Sequence, residues 1–69
     1  MQYHIECEQE LDGRWLAEVP ELSGVLCYGN SADEAMRKAE TLALRVVAEQ
    51  LEAGERQPVA FSISLANAA

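Results

Sequence analysis

The stretch DGRWLAEVPELSGVLCYGNSADEA, residues 12–35, carries most of the turn and cap signals of the chain, so it determines how the strands and the helix connect. Asp12-Gly13 predicts a two-residue β-hairpin turn of type I′, whose positive φ angles both residues tolerate. Gly24 predicts a second reversal, because glycine adopts a positive φ without steric cost. Pro20 has no amide hydrogen to donate, so it marks a strand end or a sheet edge.

On both sides of the hairpin turn, apolar and polar residues alternate with a period of two, which predicts half-buried strands. The residues expected to face the core are Tyr3, Ile5, Cys7, Trp15, Ala17 and Val19. Trp15 either anchors the core or is exposed for a partner, and the pattern leaves both open. The apolar run VLCY, residues 25–28, predicts a short third strand that ends at Gly29 and Asn30.

A helix is predicted after the third strand. Ser31 is its expected N-cap, and Glu34 completes a capping box in which its carboxylate accepts from the Ser31 amide. Gly54 is the expected residue just past the helix end. The expected apolar stripe is Ala35, Met36, Ala39, Leu42, Ala43, Val46, Val47 and Leu51. The expected polar face is Arg37, Lys38, Glu40, Arg45, Glu49 and Glu52.

The segment PVAFSISL, residues 58–65, alternates again and predicts a fourth strand, followed by a frayed tail over residues 66–69. The order is β-β-β-α-β in one α+β domain over residues 1–69, ordered from about residue 2 to residue 65. A three-stranded antiparallel meander carries the helix on one face. The fourth strand is expected to lie parallel to the first. The sheet face away from the helix then carries His4, Glu6, Glu8, Leu16, Glu18, Ala60, Ser62 and Ser64.

The charge of the chain limits the classes of partner that it can bind. The 69 residues hold 12 acidic and 5 basic side chains, for a formal net charge of −7. Nucleic-acid affinity comes largely from neutralised phosphates, so no direct nucleic-acid contact is expected unless the basic residues cluster. They are expected to be scattered: Arg14, Arg37, Lys38, Arg45 and Arg56. An acidic surface suits a basic partner, and simple solubility is the alternative reading.

Cysteine usage and the N-terminus predict a cytoplasmic protein. Cys7 and Cys27 lie in apolar runs and are expected to be small core residues, with a disulfide as the minor alternative. No basic segment followed by an apolar run begins the chain, and no apolar stretch reaches the roughly 20 residues of a membrane span.

Catalytic chemistry finds little support, so no enzyme, cofactor or metal site is expected. Glu6, Glu8 and Glu18 could hold Mg²⁺ for nuclease chemistry, but carboxylates on a strand face are more often simply solvated. His4 and Cys7 point to opposite sides of one strand and cannot act as base and nucleophile together.

The order of turn and cap signals resembles the HicB-like antitoxin family over about residues 3–48. The residues that carry the resemblance are Asp12, Gly13, Trp15, Ala17, Glu18, Val19, Pro20, Leu22, Gly24, Gly29, Ser31, Glu34 and Ala35. The resemblance implies a partial RNase H-like fold and a small basic partner of the HicA type, a toxin that cleaves mRNA and is masked by the HicB-like domain. Longer members add a C-terminal DNA-binding segment. The sequence ends after the fourth strand without one, so operator binding is not expected.

The sequence therefore predicts an antitoxin-type binding module whose acidic residues attract a basic toxin. Glu6, Glu8, Glu18 and Glu21 are the expected partner-binding residues. The alternative is a stand-alone homo-oligomer, most simply a dimer, that uses the bare sheet face or edge. A divergent Mg²⁺-dependent nuclease is the least favoured reading.

Overall fold

The structure is a computed structural model that describes residues 2–55 and 62–67. Its elements are β1 (Gln2–Gln9), β2 (Trp15–Glu18), β3 (Leu26–Gly29), α1 (Ala32–Glu52) and β4 (Ser62–Asn67). The meander is antiparallel, with β1 paired to β2 and β2 paired to β3. The α+β class, the three-stranded antiparallel sheet and the single helix expected from the sequence are confirmed.

The full strand order is β3-β2-β1-β4, which places β3 at one edge of the sheet. β4 lies parallel to β1, in a register that runs from Gln2 opposite Ser62 to Cys7 opposite Asn67. Positions 58–61 of the expected fourth strand, and positions 68–69 of the expected tail, lie outside the described residues. Ala66 and Asn67, expected in the tail, belong to β4.

The first hairpin turn differs from the prediction. Gly13 has a φ of +94°, but Asp12 does not have a positive φ, so the turn is not type I′. The Gly13 amide donates to the Glu10 carbonyl at 3.0 Å, and the Glu10 amide donates to the Arg14 carbonyl at 2.7 Å. These bonds enclose a three-residue loop in which glycine alone takes the left-handed conformation, a common hairpin geometry. The Asp12 carboxylate stabilises it by accepting from the Arg14 amide at 3.0 Å.

The core lies between the sheet and α1, as the alternation predicts. The buried apolar residues are Tyr3, Ile5, Cys7, Ala17, Val19, Leu22, Val25, Ala35, Met36, Ala39, Ala43 and Val47. Trp15 is half-buried and packs against this core. Leu51 departs from the expected stripe because it is 40% exposed. A helix of 21 residues spans about 31 Å. The longest strand has 8 residues and spans about 26 Å, so α1 is longer than any strand described.

The helix start shows one cap bond as expected and one that differs. Ser31 Oγ accepts from the Glu34 amide at 3.1 Å. The Glu34 carboxylate accepts from the amide of Asn30, at 3.1 Å, and not from that of Ser31. The same Oε1 atom lies 3.4 Å from Lys38 Nζ, so the carboxylate links the residue before the cap to the second helical turn.

Gly29 joins β3 to this helix start by close backbone contact. A Cβ atom at Gly29 would lie 2.6 Å from the backbone nitrogen of Ala35. Glycine is therefore required here by space and not by a positive φ. The other helix end closes as predicted: Gly54 has a φ of +74° and donates to the Leu51 carbonyl at 3.2 Å. The Glu55 amide donates to the Gln50 carbonyl at 2.9 Å, which completes a Schellman motif.

Candidate functional site: the open face of the sheet

One face of the sheet packs on α1, and the other, here called the open face, is covered by no element among residues 2–55 and 62–67. Strand alternation positions its side chains, because their neighbours in each strand point into the core. The open face carries His4, Glu6, Glu8, Leu16, Glu18, Leu26 and Tyr28. In the register, Ser62 and Ser64 stand opposite Gln2 and His4, and Ala60 lies outside the described residues.

The middle of the open face is acidic. Glu6 and Glu18 stand directly opposite each other on β1 and β2, and Glu8 lies one pair further along β1 on the same face. Like charges directly opposite on an antiparallel pair repel each other. None of the three carboxylates forms an ion pair within the part of the chain that the structure describes. The sequence prediction that these acids share one surface is consistent with this geometry.

An apolar patch, formed by Leu16, Leu26 and Tyr28, borders the acids. Leu16 stands opposite Tyr28, and Leu26 stands opposite Glu18. Leu26 is 48% exposed and Tyr28 40% exposed. The Arg14 guanidinium lies 4.3 Å from the centre of the Tyr28 ring. The sequence reasoning treated VLCY as uniformly apolar and missed this patch. Period-two alternation through the run would have predicted that alternate residues face outward.

Glu21 lies at the margin of the open face and is tied to His4. Its Oε1 accepts from the His4 amide at 3.1 Å, and its Oε2 lies 2.7 Å from His4 Nδ1. The hydrogen bonds from the His4 side chain and backbone lower the pKa of the Glu21 carboxyl below its usual value. Of the four expected partner-binding acids, Glu21 is therefore the one already engaged within the chain.

The residues weighed for catalysis do not converge. Among the described residues no three His, Cys, Asp or Glu side chains lie close enough together to hold a metal ion. His4 is exposed on the open face and Cys7 is buried on the other side of the same strand. Burial, followed by the nearby charge of Glu8, raises the pKa of the Cys7 thiol, which makes it a poor nucleophile.

Both described cysteines are free. Cys7 and Cys27 stand in one row across the sheet with Ala17 between them. Two strand spacings separate them by about 9.6 Å, which exceeds the reach of a disulfide. The minor alternative of a disulfide between them is therefore wrong. Cys27 is only half-buried, so the expectation that both cysteines lie in the core holds for Cys7 alone.

The expectation that the basic residues are scattered holds for Arg14, which lies beside the hairpin, but it is wrong for Arg37, Lys38 and Arg45. A cleft of about 400 Å³ between β3 and α1, here called the cationic cleft, is lined by Cys27, Arg37, Lys38, Thr41, Leu42 and Arg45. Arg37, Thr41 and Arg45 recur every fourth residue, so they form one row along the helix. That spacing was visible in the sequence and could have predicted the cluster. Arg56 lies outside the described residues.

Within the described part of the chain, α1 is too polar to span a membrane. A scan against protein-family models, a search of curated proteins and a search of solved structures each find no match to the chain.

Proposed function

We propose that this chain is a HicB-like, antitoxin-type binding module that masks a small basic toxin of the HicA type. The proposal includes the HicB-like form of the fold, with a fourth strand parallel to the first. It assigns no catalytic step to the chain itself. The open face supports it, because three unpaired carboxylates there adjoin an exposed apolar patch.

Charge complementarity favours a basic partner. Unpaired Glu6, Glu8 and Glu18 create a negative potential that raises the association rate of a cationic protein. An mRNA-cleaving protein must itself present cationic groups to phosphates. A surface that binds those groups competes with RNA for them, so binding and inhibition coincide.

The apolar patch supplies what the acids lack. Exposed ion pairs contribute only about 0.2–1 kcal/mol each, because water screens them. Leu16, Leu26 and Tyr28 can bury apolar area in the same contact, and aromatic residues are frequent anchors of protein interfaces. The acids then steer and orient the partner, and the patch slows its dissociation.

The test is a pull-down of the tagged chain from lysate of its own cells, followed by purification of the retained protein. We expect a basic protein of similar size that cleaves RNA and loses that activity when the chain is added in equal amount. The Glu6→Gln/Glu8→Gln/Glu18→Gln variant should bind it about tenfold or more weakly, and with a smaller dependence on salt.

A matched control removes the same charge elsewhere. The variant Glu49→Gln/Glu52→Gln/Glu55→Gln changes three exposed acids at the end of α1 and leaves the open face intact. It should retain near-native affinity. Equal weakening by both variants would show that net charge, and not the open face, attracts the partner. Retention of no RNA-cleaving protein would count against the antitoxin assignment itself.

A further inference from the structure

We propose that the hairpin tip of one copy of this chain, Glu10–Gly13, docks into the cationic cleft of a second copy. The contact gives the homo-oligomer a defined geometry and uses neither the acids nor the apolar patch of the open face. It therefore stands whether or not the chain is an antitoxin.

The hairpin tip presents an apolar side chain between two acids. Leu11 is 110% exposed, more than any other large apolar residue described. Glu10 precedes it and Asp12 follows it. The nearest cation, Arg14, is held by Asp12 through an Nε–Oδ2 contact of 2.8 Å and stacks on Tyr28. Backbone bonds across the loop hold the tip in one shape, so docking costs little conformational entropy.

The cationic cleft has the complementary chemistry. Leu42 and Cys27 supply apolar surface, and Arg37 and Arg45 flank it. Neither guanidinium forms a hydrogen bond or ion pair with any residue in the ranges 2–55 and 62–67. Lys38 differs, because its Nζ lies 3.4 Å from Glu34 Oε1 and 3.5 Å from the Tyr28 carbonyl. The two arginines are thus the cations available to an incoming acidic segment.

A second copy is the occupant that these observations favour. The cleft repels the basic partner that suits the open face, and it attracts a segment that is both acidic and apolar. The chain itself carries such a segment. Because Leu11 is fully exposed, the tip does not occupy the cleft of its own chain, and the contact must form between chains. Two reciprocal contacts close a dimer, whereas head-to-tail contacts extend a chain of copies.

Cysteine cross-linking tests the contact directly. Cys27 lines the cleft, so the Leu11→Cys variant places a second thiol at the tip. Oxidation of the purified full chain with glutathione disulfide should join residue 11 of one copy to residue 27 of another, as mapped by mass spectrometry. Leu44→Cys is the matched control, because Leu44 is exposed on the helix at 45%. A cross-link between residues 11 and 27 that forms well above the background between residues 44 and 27 supports the proposal. Cross-links between two copies of residue 11 alone, or no cross-link, overturn it.

Analytical sedimentation of the protein with its thiols left reduced gives an independent measurement of self-association. Leu11→Ser and Arg37→Gln/Arg45→Gln should each weaken self-association by about tenfold or more, as expected for central contacts. Leu44→Ser controls for loss of an exposed leucine. Leu44→Glu/Ala48→Glu is the control for Arg37→Gln/Arg45→Gln, because both double variants lower the net charge by two. The proposal is overturned if the wild type remains monomeric at high micromolar concentration. It is also overturned if both test variants associate as tightly as the wild type.

Discussion

The open face and the cationic cleft carry opposite charge, although both border the same edge strand. Leu26 and Tyr28 point from β3 to the open face, beside the unpaired acids of β1 and β2. Cys27, the residue between them, lines the cleft with Arg37 and Arg45. Neighbours in the sequence thus belong to two surfaces of opposite charge. The net charge of −7 describes neither surface, because it averages over both.

The separation also explains why the chain leaves these charges unpaired. Acids on the open face and arginines in the cleft lie on opposite sides of the sheet, so they cannot neutralise one another within one copy. We propose that the first set binds a basic protein and that the second set binds an acidic segment.

Gly29→Ala should disrupt the open face and the cationic cleft together, because it displaces β3 from the start of α1. The added Cβ would meet the Ala35 backbone nitrogen at 2.6 Å, and neither backbone can yield without moving β3 or the helix start. We expect the free energy of unfolding to fall by about 3 kcal/mol, at the upper end of overpacking effects. Urea denaturation followed by Trp15 fluorescence measures it.

The control is Gly24→Ala, where a Cβ meets nothing within 4 Å but φ is +82°. That variant should lose only about 1–2 kcal/mol, the cost of a left-handed conformation. A larger loss at Gly24 than at Gly29 would show that backbone conformation, and not the contact with α1, limits the stability of β3.

Glu18→Gln should change the stability of the fold and the binding of a cationic partner in opposite directions. It removes the repulsion from Glu6 across the β1–β2 pair, so the free energy of unfolding should rise by about 0.2–1 kcal/mol. Attraction for a cationic partner should fall. Added salt should raise the stability of the wild type more than that of the variant. A loss of stability in the variant would mean that Glu18 has a favourable contact that outweighs the repulsion.

Lower pH should weaken the contacts of Glu21 at the open face and of Glu34 beside the cationic cleft. The loss of stability should be the smallest of these effects, because both carboxylates are accessible to solvent. Hydrogen bonds from His4 lower the pKa of Glu21, and those from the Asn30 amide and Lys38 lower the pKa of Glu34. A folded pKa below the unfolded value contributes stability that is present above the unfolded pKa, near 4.3. That contribution is lost as the pH falls through the folded pKa.

Denaturation curves between pH 6 and pH 3 test this direction. Glu21→Gln should give a shallower decline than the wild type, because one of the titrating contacts is gone. Glu49→Gln, which changes an exposed acid on α1, should leave the decline unchanged. A steeper decline for Glu21→Gln would show that the Glu21 carboxylate opposes folding.

Local signals in the sequence predicted the antiparallel meander, the helix and its two ends. Alternation placed Tyr3, Ile5 and Cys7 in the core, and Ser31 and Gly54 bounded α1, because each signal depends on a few neighbouring residues. The turn type failed because Asp-Gly also suits a loop in which only Gly13 has a positive φ. The contact between Gly29 and Ala35 depends on how closely β3 approaches the helix, which no local pattern contains.

The surfaces were predicted less completely than the fold. Glu6, Glu8 and Glu18 were placed on one face because strand alternation is a local rule. The bond between His4 and Glu21 joins residues 17 positions apart and follows from the path of the chain after β2. The grouping of Arg37 and Arg45 was available from helical spacing, but their position beside Cys27 required the packing of α1 on β3.

The single tryptophan and the unequal exposure of the two thiols make the native chain its own optical probe. A thiol-reactive dye should label Cys27 and spare buried Cys7, which puts the dye on the wall of the cationic cleft. The rate of Cys27 labelling then reports occupancy of the cleft, because a docked segment shields the thiol. Trp15 fluorescence of the unlabelled chain reports unfolding, again without any substitution.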